Sequence, residues 1–401
     1  MDKRKVTDII LQTITYAASL VSVFILGLIL YFIFSRGSRL LSFDIIIKDY
    51  NPVIYNLKTD EEVNNNFTNP NIENSYFSPN YGVAVIDDIT NEGIKTIRFI
   101  YFDENSPLLR TVNQKGEKVS FEKNFIFDST MSVRNSDNTT QTIFSNRGAE
   151  TLISILDQSV GLESAIVKSE GGGIRASIIT TLYLVFITLL IGLPLGILTA
   201  LYLNQIAPQN KITNLLRNFI DMLTGIPSVI YGLMGAALFI PLTTALFNND
   251  SMRRGSLIAG ALTLVVIILP VVIKSTESAL DVVPKAYRDA SLALGANKTQ
   301  TTFKVMLPNA LPGILSGALL SIGRIIGESA ALIYAMGTII GDEVSLTGRT
   351  TSLAVHIWSI MGGEVPNIAL ASTIAIIILA VVLVLNLLVK LIAYRFTKRY
   401  R

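Results

Sequence analysis

The chain has 401 residues, half of them hydrophobic and only 16% charged, with a formal net charge of +3 and no cysteine. Its mean hydropathy of +0.51 takes it out of the soluble class and into the membrane class. The small, dispersed positive charge is no nucleic-acid footprint, and the missing cysteines exclude disulfides and thiolate metal sites.

A bilayer core of roughly 30 Å needs about 20 apolar residues per helix. The first stretch to meet this covers about residues 9–34, behind Lys3, Arg4 and Lys5. It is too long for a signal-peptide core and ends at Phe34-Ser35-Arg36 without a small-residue cleavage pattern, so it is read as a retained anchor. Residues 1–39 are thus an N-terminal tail and first transmembrane helix.

Residues 40–170 differ in character, being rich in Asn, Asp and Thr. The alternating runs Gly82–Ile86, Lys95–Phe102 and Asn124–Phe127, bounded by turn residues, read as short strands of a small β-rich domain inserted between the first two spans. The Asn-rich piece Asn51–Asn80 is expected to be partly disordered, and Lys168–Gly173 to be a flexible lead-in to the second span. Nothing in this insertion assigns it a ligand.

The remainder, 171–401, carries five more spans at about 176–203, 218–247, 256–274, 309–339 and 367–391. In the third, Asp221, Thr224, Ser228 and Tyr231 share one helical face, and Pro227 removes a mid-helix donor, which predicts a kinked polar stripe. Thr224 and Ser228 either satisfy that kink locally or, with Tyr231, face a solute.

A hydrophilic loop, 275–308, separates the fourth and fifth spans. Pro284 can open a helix, Ala286, Ala290 and Leu294 recur at four-residue spacing, and Gly295 is placed to stop that helix in a left-handed cap. Asn297 can cap a second helix that ends before Pro308, so the loop should be a two-helix knob.

The fifth span contains Arg324 and Glu328, whose ionised side chains cost about 2.5–3.5 kcal/mol each at bilayer depth and must face protein or water. Four residues apart on one helix they can pair, and their face continues as Ser321, Gly317 and Gly313. The pair either pins two helices together or forms a polar point on a solute path; a guanidinium fork suits a tetrahedral oxyanion, and a carboxylate can accept the proton of a monoprotonated one. His356, the single histidine, reads as an outer-loop packing residue and not as a metal ligand.

With the N-terminus inside, fifteen Lys and Arg fall in inner segments against Arg253, Arg254 and Arg349 in the two short outer loops, which places both termini in the cytoplasm. Arg36, Arg39 and Arg175 flank outer ends without reversing that count. The fold class is therefore an α-helical polytopic membrane protein with six transmembrane helices and a β-rich outer insertion. There is no G-x-x-x-x-G-K-[ST] phosphate loop, so any ATP is handled by another chain.

The loop resembles the EAA loop of ABC importer permeases: Asp289-Ala290-Ser291, three residues, Gly295, nine residues, Val305, Met306, Leu307-Pro308. Gly323-Arg324-Ile-Ile-Gly327-Glu328-Ser329 and Gly225-Ile-Pro-Ser-Val-Ile-Tyr-Gly232 resemble signatures of the phosphate-specific members. Ser329–Tyr334 and Ser352–Ile357 are closer to their A-type than to their C-type subunits. The resemblance spans the first helix and about 172–401; the long outer insertion departs from it.

What the resemblance implies is a type I ABC importer permease fold in a bacterial plasma membrane, with Pro284, Tyr287, Asp289, Ala290, Gly295, Leu307 and Pro308 coupling to a cytoplasmic ATPase dimer. A C-type second permease and an outer phosphate-binding protein would complete the complex. Arg324, Glu328, Ser321, Ser228, Tyr231 and Thr224 would line the solute path. ATP and magnesium would reside on the ATPase, with no cofactor or metal in this chain, which is not itself an enzyme. A permease for another oxyanion or small solute, a membrane-tethered receptor with an outer sensing domain, and a secondary transporter are the rival readings.

Overall fold

The computed structural model describes residues 3–59, 63, 66–89, 95–169, 171–363 and 366–399. Arg401 of the basic tail, Asp60–Glu62, Asn64 and Asn65 of the Asn-rich piece, and Glu170 of the glycine-rich lead-in lie outside them. The chain divides into two compact units, Met1–Ile47 with Ile174–Arg401, and Lys48–Gly173.

In the first unit, α1 (Lys3–Gly37) is the first span, and α2 (Phe43–Ile47) follows it. The Ile174 N–H donates to Ile45 O at 2.8 Å, which keeps α2 with the membrane unit and sets the boundary at Ile47, eight residues beyond the expected 39. The hydroxyls of Thr13, Thr15, Ser19 and Ser22 each donate to the carbonyl four residues back, so α1 carries no unsatisfied polar group into lipid at those positions.

The second unit is one antiparallel sheet in the order β2-β3-β4-β6-β8-β1-β5, with β7 also paired to β6. Its strands are β1 (Ile54–Lys58), β2 (Tyr76–Ser78), β3 (Val83–Ile89), β4 (Lys95–Phe102), β5 (Val112–Asn113), β6 (Ile126–Asn135), β7 (Thr140–Phe144) and β8 (Ser159–Lys168). The three expected runs fall in β3, β4 and at the start of β6. The described residues of the Asn-rich piece include β1 and β2. Left-handed Asn124 and Asn138 make turns that few other residues tolerate. The sheet and α3 (Ala149–Leu156) bury Leu57, Val85, Phe99, Phe127, Met131 and Leu152 in a core of their own.

Back in the membrane unit, α4 (Arg175–Leu201) runs into a π-helical turn, Tyr202–Ile206. Then come α5 (Lys211–Thr224), α6 (Ser228–Met234), a π turn Gly235–Phe239, α7 (Ile240–Phe247) and α8 (Leu257–Asp281). After α9 (Lys285–Ala293), α10 (Lys298–Thr301) passes through a third π turn, Thr302–Met306, into α11 (Leu307–Gly327). The chain finishes with α12 (Ala330–Met336), α13 (Leu353–Met361) and α14 (Ile368–Arg399).

Among the described residues six stretches are long and apolar enough to cross a membrane, and two, the third and the fifth, differ most from expectation. The third begins at Ser228 and not near 218, because the chain leaves the helix at Gly225–Pro227. The fifth ends at Gly327 and not near 339. At its other end it begins at Lys298, since the second loop helix continues through the π turn Thr302–Met306 and past Pro308 into the membrane instead of stopping. The unit is centred on α8, whose Leu264, Ile267, Ile268 and Val272 are buried against α4 and α11. Gly192 and Gly196 of α4 let Ile268 and Val272 approach closer than a Cβ would permit.

Candidate functional site

Two spans are interrupted, and the interruptions meet. At the first, Pro227 has extended backbone (φ −59°, ψ 141°) and starts α6, so the predicted kink is a full break. The end of α5 leaves orphan carbonyls, which local groups satisfy. Tyr231 Oη donates to Leu223 O at 2.6 Å across the break, and Thr224 Oγ1 donates to Asp221 O at 2.6 Å. The four residues of the expected stripe therefore do not share one helix. Thr224's hydroxyl is engaged with its own turn, Ser228 is half-buried at the start of α6, and Tyr231 is buried beneath the break.

At the second interruption Arg324 lies in the last turn of α11, and Glu328 follows the helix in extended backbone (φ −78°, ψ 120°). The two are thus not on one helical face, and no ion pair joins them. The helix ends take over the role expected of pairing. A cation in the final turn is favoured by the macrodipole of α11, while Glu328 Oε1 accepts the Ala331 N–H at 3.2 Å at the start of α12. Each such placement is worth about 0.3–1 kcal/mol when exposed and up to about 2 kcal/mol when partly buried.

Arg324 is exposed, and among the described residues it makes no hydrogen bond or ion pair. Cβ atoms added at Gly323 and Gly327 would meet nothing within 4 Å, so open space lies beside the backbone at both glycines that bracket Arg324. The breaks are brought together by α6 against α12: a Cβ on Gly232 would lie 2.8 Å from Ala331 Cα. Non-helical backbone at membrane depth is tolerated where it is buried in protein or lines a water-filled cavity, and half-helix ends at such breaks hold ions in other membrane proteins.

Ser321 does not join this group. It is fully buried, donates to Gly317 O at 3.0 Å, and lies on the strip where Gly317 packs on Ser275 and Gly313 on Ala279. That strip is the seam between α11 and α8 and not a lining, because side chains of α8 already fill it.

The expected knob is formed. The left-handed Gly295 (φ +89°) turns the chain after α9, and Asn297 and Gln300 make a reciprocal capping box at the start of α10. Ser291 Oγ lies 3.0 Å from Thr301 Oγ1, tying the two helices together. Pro284, Tyr287, Asp289, Ala290 and Gly295 are exposed, as is Leu294 at 90%, an apolar tip that monomeric packing leaves uncovered. Leu307 and Pro308 sit apart from this tip, at the root, with Leu307 against Leu280, Val283 and Met306.

Beside that root is a polar cluster that sequence reading missed. Arg217 Nη1 pairs with Glu277 Oε1 at 3.1 Å and its Nη2 donates to Leu203 O at 2.7 Å, while Lys274 Nζ pairs with Asp221 Oδ1 at 2.5 Å. The available signal was spacing: opposite charges four apart on α5 and three apart on α8. His356 is fully buried on α13, with Nδ1 2.8 Å from Ser177 Oγ.

Residues 192–401 match the family described as "Binding-protein-dependent transport system inner membrane component". The chain is 35% identical over 232 residues to "Probable ABC transporter permease protein YqgI" of Bacillus subtilis, covering 54% of this chain and 76% of that protein. It is 31% identical over 244 residues to "Phosphate transport system permease protein PstA 1" of Mycobacterium tuberculosis, covering 60% and 76% respectively. To "Phosphate transport system permease protein PstA 2" of Mycobacterium bovis it is 37% identical over 170 residues, and there it spans 54% of the relative's length.

Proposed function

The chain belongs to the binding-protein-dependent transport system inner membrane component family, and from that premise we propose that it is the A-type permease subunit of an ATP-driven phosphate importer. It spans the membrane six times with both termini in the cytoplasm, pairs with a C-type permease, and encloses a solute path with it. An outer phosphate-binding protein delivers the solute. A cytoplasmic ATPase dimer, which holds ATP and magnesium, docks on the knob formed by α9 and α10.

The observation that carries this reading is Arg324: an exposed cation without a partner among the described residues, at the end of an interrupted membrane helix, between two glycines that leave room for a ligand. Its planar fork takes two oxygens of a tetrahedral oxyanion. Glu328 Oε1 is engaged with the Ala331 N–H, which leaves Oε2 to accept the proton of a monoprotonated phosphate. The negative carboxylate also weakens the site, so that a solute bound by Arg324 can leave it. Closure of the ATPase would move the knob, and the path around Arg324 would change the side to which it opens.

The Bacillus subtilis relative's name states no solute, and the guanidinium fork fits other tetrahedral oxyanions, so a second oxyanion is the alternative to exclude. Vesicles holding the assembled complex should take up phosphate when ATP is supplied on the ATPase side. Arg324→Gln should lower that uptake by about 10- to 100-fold, the worth of a hydrogen bond to a charged group. Undiminished uptake would remove Arg324 from the path, and competition by sulfate or molybdate at equal concentration would remove phosphate specificity.

A further inference from the structure

Helix α5 is held to the membrane unit in an unusual way. Thr213 is its one buried residue, and Ile212, Leu215, Phe219 and Met222 are all more than half exposed. Packing therefore does little to fix α5 in place. Its polar face does the fixing, through Arg217–Glu277 and Asp221–Lys274. The second pair is about half exposed and so contributes little. In the first, Glu277 retains only 9% of its side-chain exposure, and the same guanidinium is also tied to Leu203 O. Arg217–Glu277 is therefore the link that sets where α5 lies on α8.

Both ends of this link lead somewhere. Lys274, Glu277 and Asp281 follow one face of the last turns of α8, and only Val282 and Val283 separate α8 from the Pro284 that opens the knob. Asp281 Oδ1 also accepts from Asn204 Nδ2 at 2.8 Å, which ties the inner end of the second span to the same turn. At the other end, the final turn of α5 offers Leu223 O to the Tyr231 hydroxyl, and the neighbouring Gly232 packs on Ala331, just past the helix end that carries Arg324.

We propose that α5 is a lever, with Arg217 and Glu277 as its positioning residues, which carries displacement of the α9–α10 knob through α8 and the Leu223–Tyr231 hydrogen bond to the surroundings of Arg324. The inference rests on the importer reading above but not on the identity of the solute. None of the four ion-pairing side chains touches solute in this scheme. They act by fixing the end of α5 against which Tyr231, and through it the broken helix, is registered.

The chain has no cysteine, so Gly327→Cys introduces a single thiol, at a position where a Cβ meets nothing within 4 Å, beside Arg324. In vesicles of the complex with its co-isolated ATPase, ATP should change the rate at which a maleimide labels this thiol. In Glu277→Gln and in Arg217→Gln the ATP-induced change should shrink about tenfold, with ATP hydrolysis kept within about twofold of the parent. Arg217→Lys, which retains the charge, should restore most of it. Tyr231→Phe, which removes one oxygen and leaves the packing intact, should shrink it as well. The lever is overturned if the parent shows no ATP-induced change, if the change persists in the Gln variants or in Tyr231→Phe, or if Arg217→Lys fails to restore it. A merely structural role would lower the yield of complex without separating labelling from hydrolysis. Phosphate uptake by vesicles of the complex without the Gly327→Cys substitution tests the solute separately: an intact labelling response without such uptake removes phosphate and leaves the lever standing.

Discussion

At His356 the ring is wholly buried on α13, between the fifth and sixth spans, and burial pushes its pKa from the ordinary 6.5 down to about 4. Above about pH 6.5 the imidazole is neutral whether the chain is folded or unfolded. Between about 6.5 and 4 the unfolded chain binds a proton that the folded chain refuses, so stability falls as pH falls through that window, by up to about 1.4 kcal/mol per pH unit. Thermal melting of the detergent-solubilised chain should therefore drop between about pH 6.5 and 4.5, and His356→Gln should flatten that drop; an unchanged slope in the variant would place the acid sensitivity elsewhere. Glu328 allows a second residue-level separation. Glu328→Gln keeps an acceptor for the Ala331 N–H and should leave melting unchanged while lowering phosphate uptake. Glu328→Ala loses the acceptor too and should cost about 1 kcal/mol in addition, by analogy with a lost helix cap. Equal melting of the Gln and Ala variants would mean that the contact to Ala331 contributes nothing to α12.

Among the elements, the knob was legible from sequence because its signals are local. A glycine that must be left-handed and an Asn/Gln pair three residues apart act within a few residues of themselves, and the chain adopts what they specify. Gly295→Ala, with φ +89° and open space around it, should cost about 1 kcal/mol from backbone strain alone and reduce the ATPase recovered with the complex. The two membrane breaks were less legible, for different reasons. Pro227 announced itself, but a proline in an apolar run specifies a kink or a stop equally well, and the Tyr231 hydroxyl that makes a stop tolerable comes from the next helix. At Glu328-Ser329 no proline or glycine run marks the break, and hydropathy continues on both sides. The helix stops there because α12 is held against α6 by the contact between Gly232 and Ala331, which no window of sequence contains. The same tertiary override removed Ser321 from the path, since helical periodicity cannot tell a lining face from one filled by α8. Gly232→Ala would push its Cβ to 2.8 Å from the Ala331 backbone, a collision that no rotamer relieves. It should abolish uptake and lower melting together, and a variant that transports normally would show that the two breaks need not meet.

For the molecule as a whole, the question is whether the insertion Lys48–Gly173 is needed by the membrane unit to fold. Each unit has its own apolar core: the insertion's runs from Leu57 to Val167, and the residues buried around α8 come from Leu184 to Val355. Among the described residues, neither of these two cores borrows a residue from the other unit. The insertion also closes on itself, because the N–H groups of Gly172 and Gly173 donate to Tyr50 O and Asp49 O at 2.8 and 3.0 Å, so its two ends leave side by side. Adjacent ends are what allows a domain to be inserted, or excised, without stretching the host. Replacing 48–173 with a short Gly-Ser linker should therefore leave the six spans able to insert and to recover the ATPase through an intact knob. If the acidic insertion, with its 18 Asp and Glu against 11 Lys and Arg, serves delivery of solute, the excised complex should hydrolyse ATP normally while uptake becomes insensitive to the phosphate-binding protein. Failure of the excised chain to assemble would show that the insertion supports the fold, and uptake unchanged in its response to the binding protein would show that delivery does not pass through it.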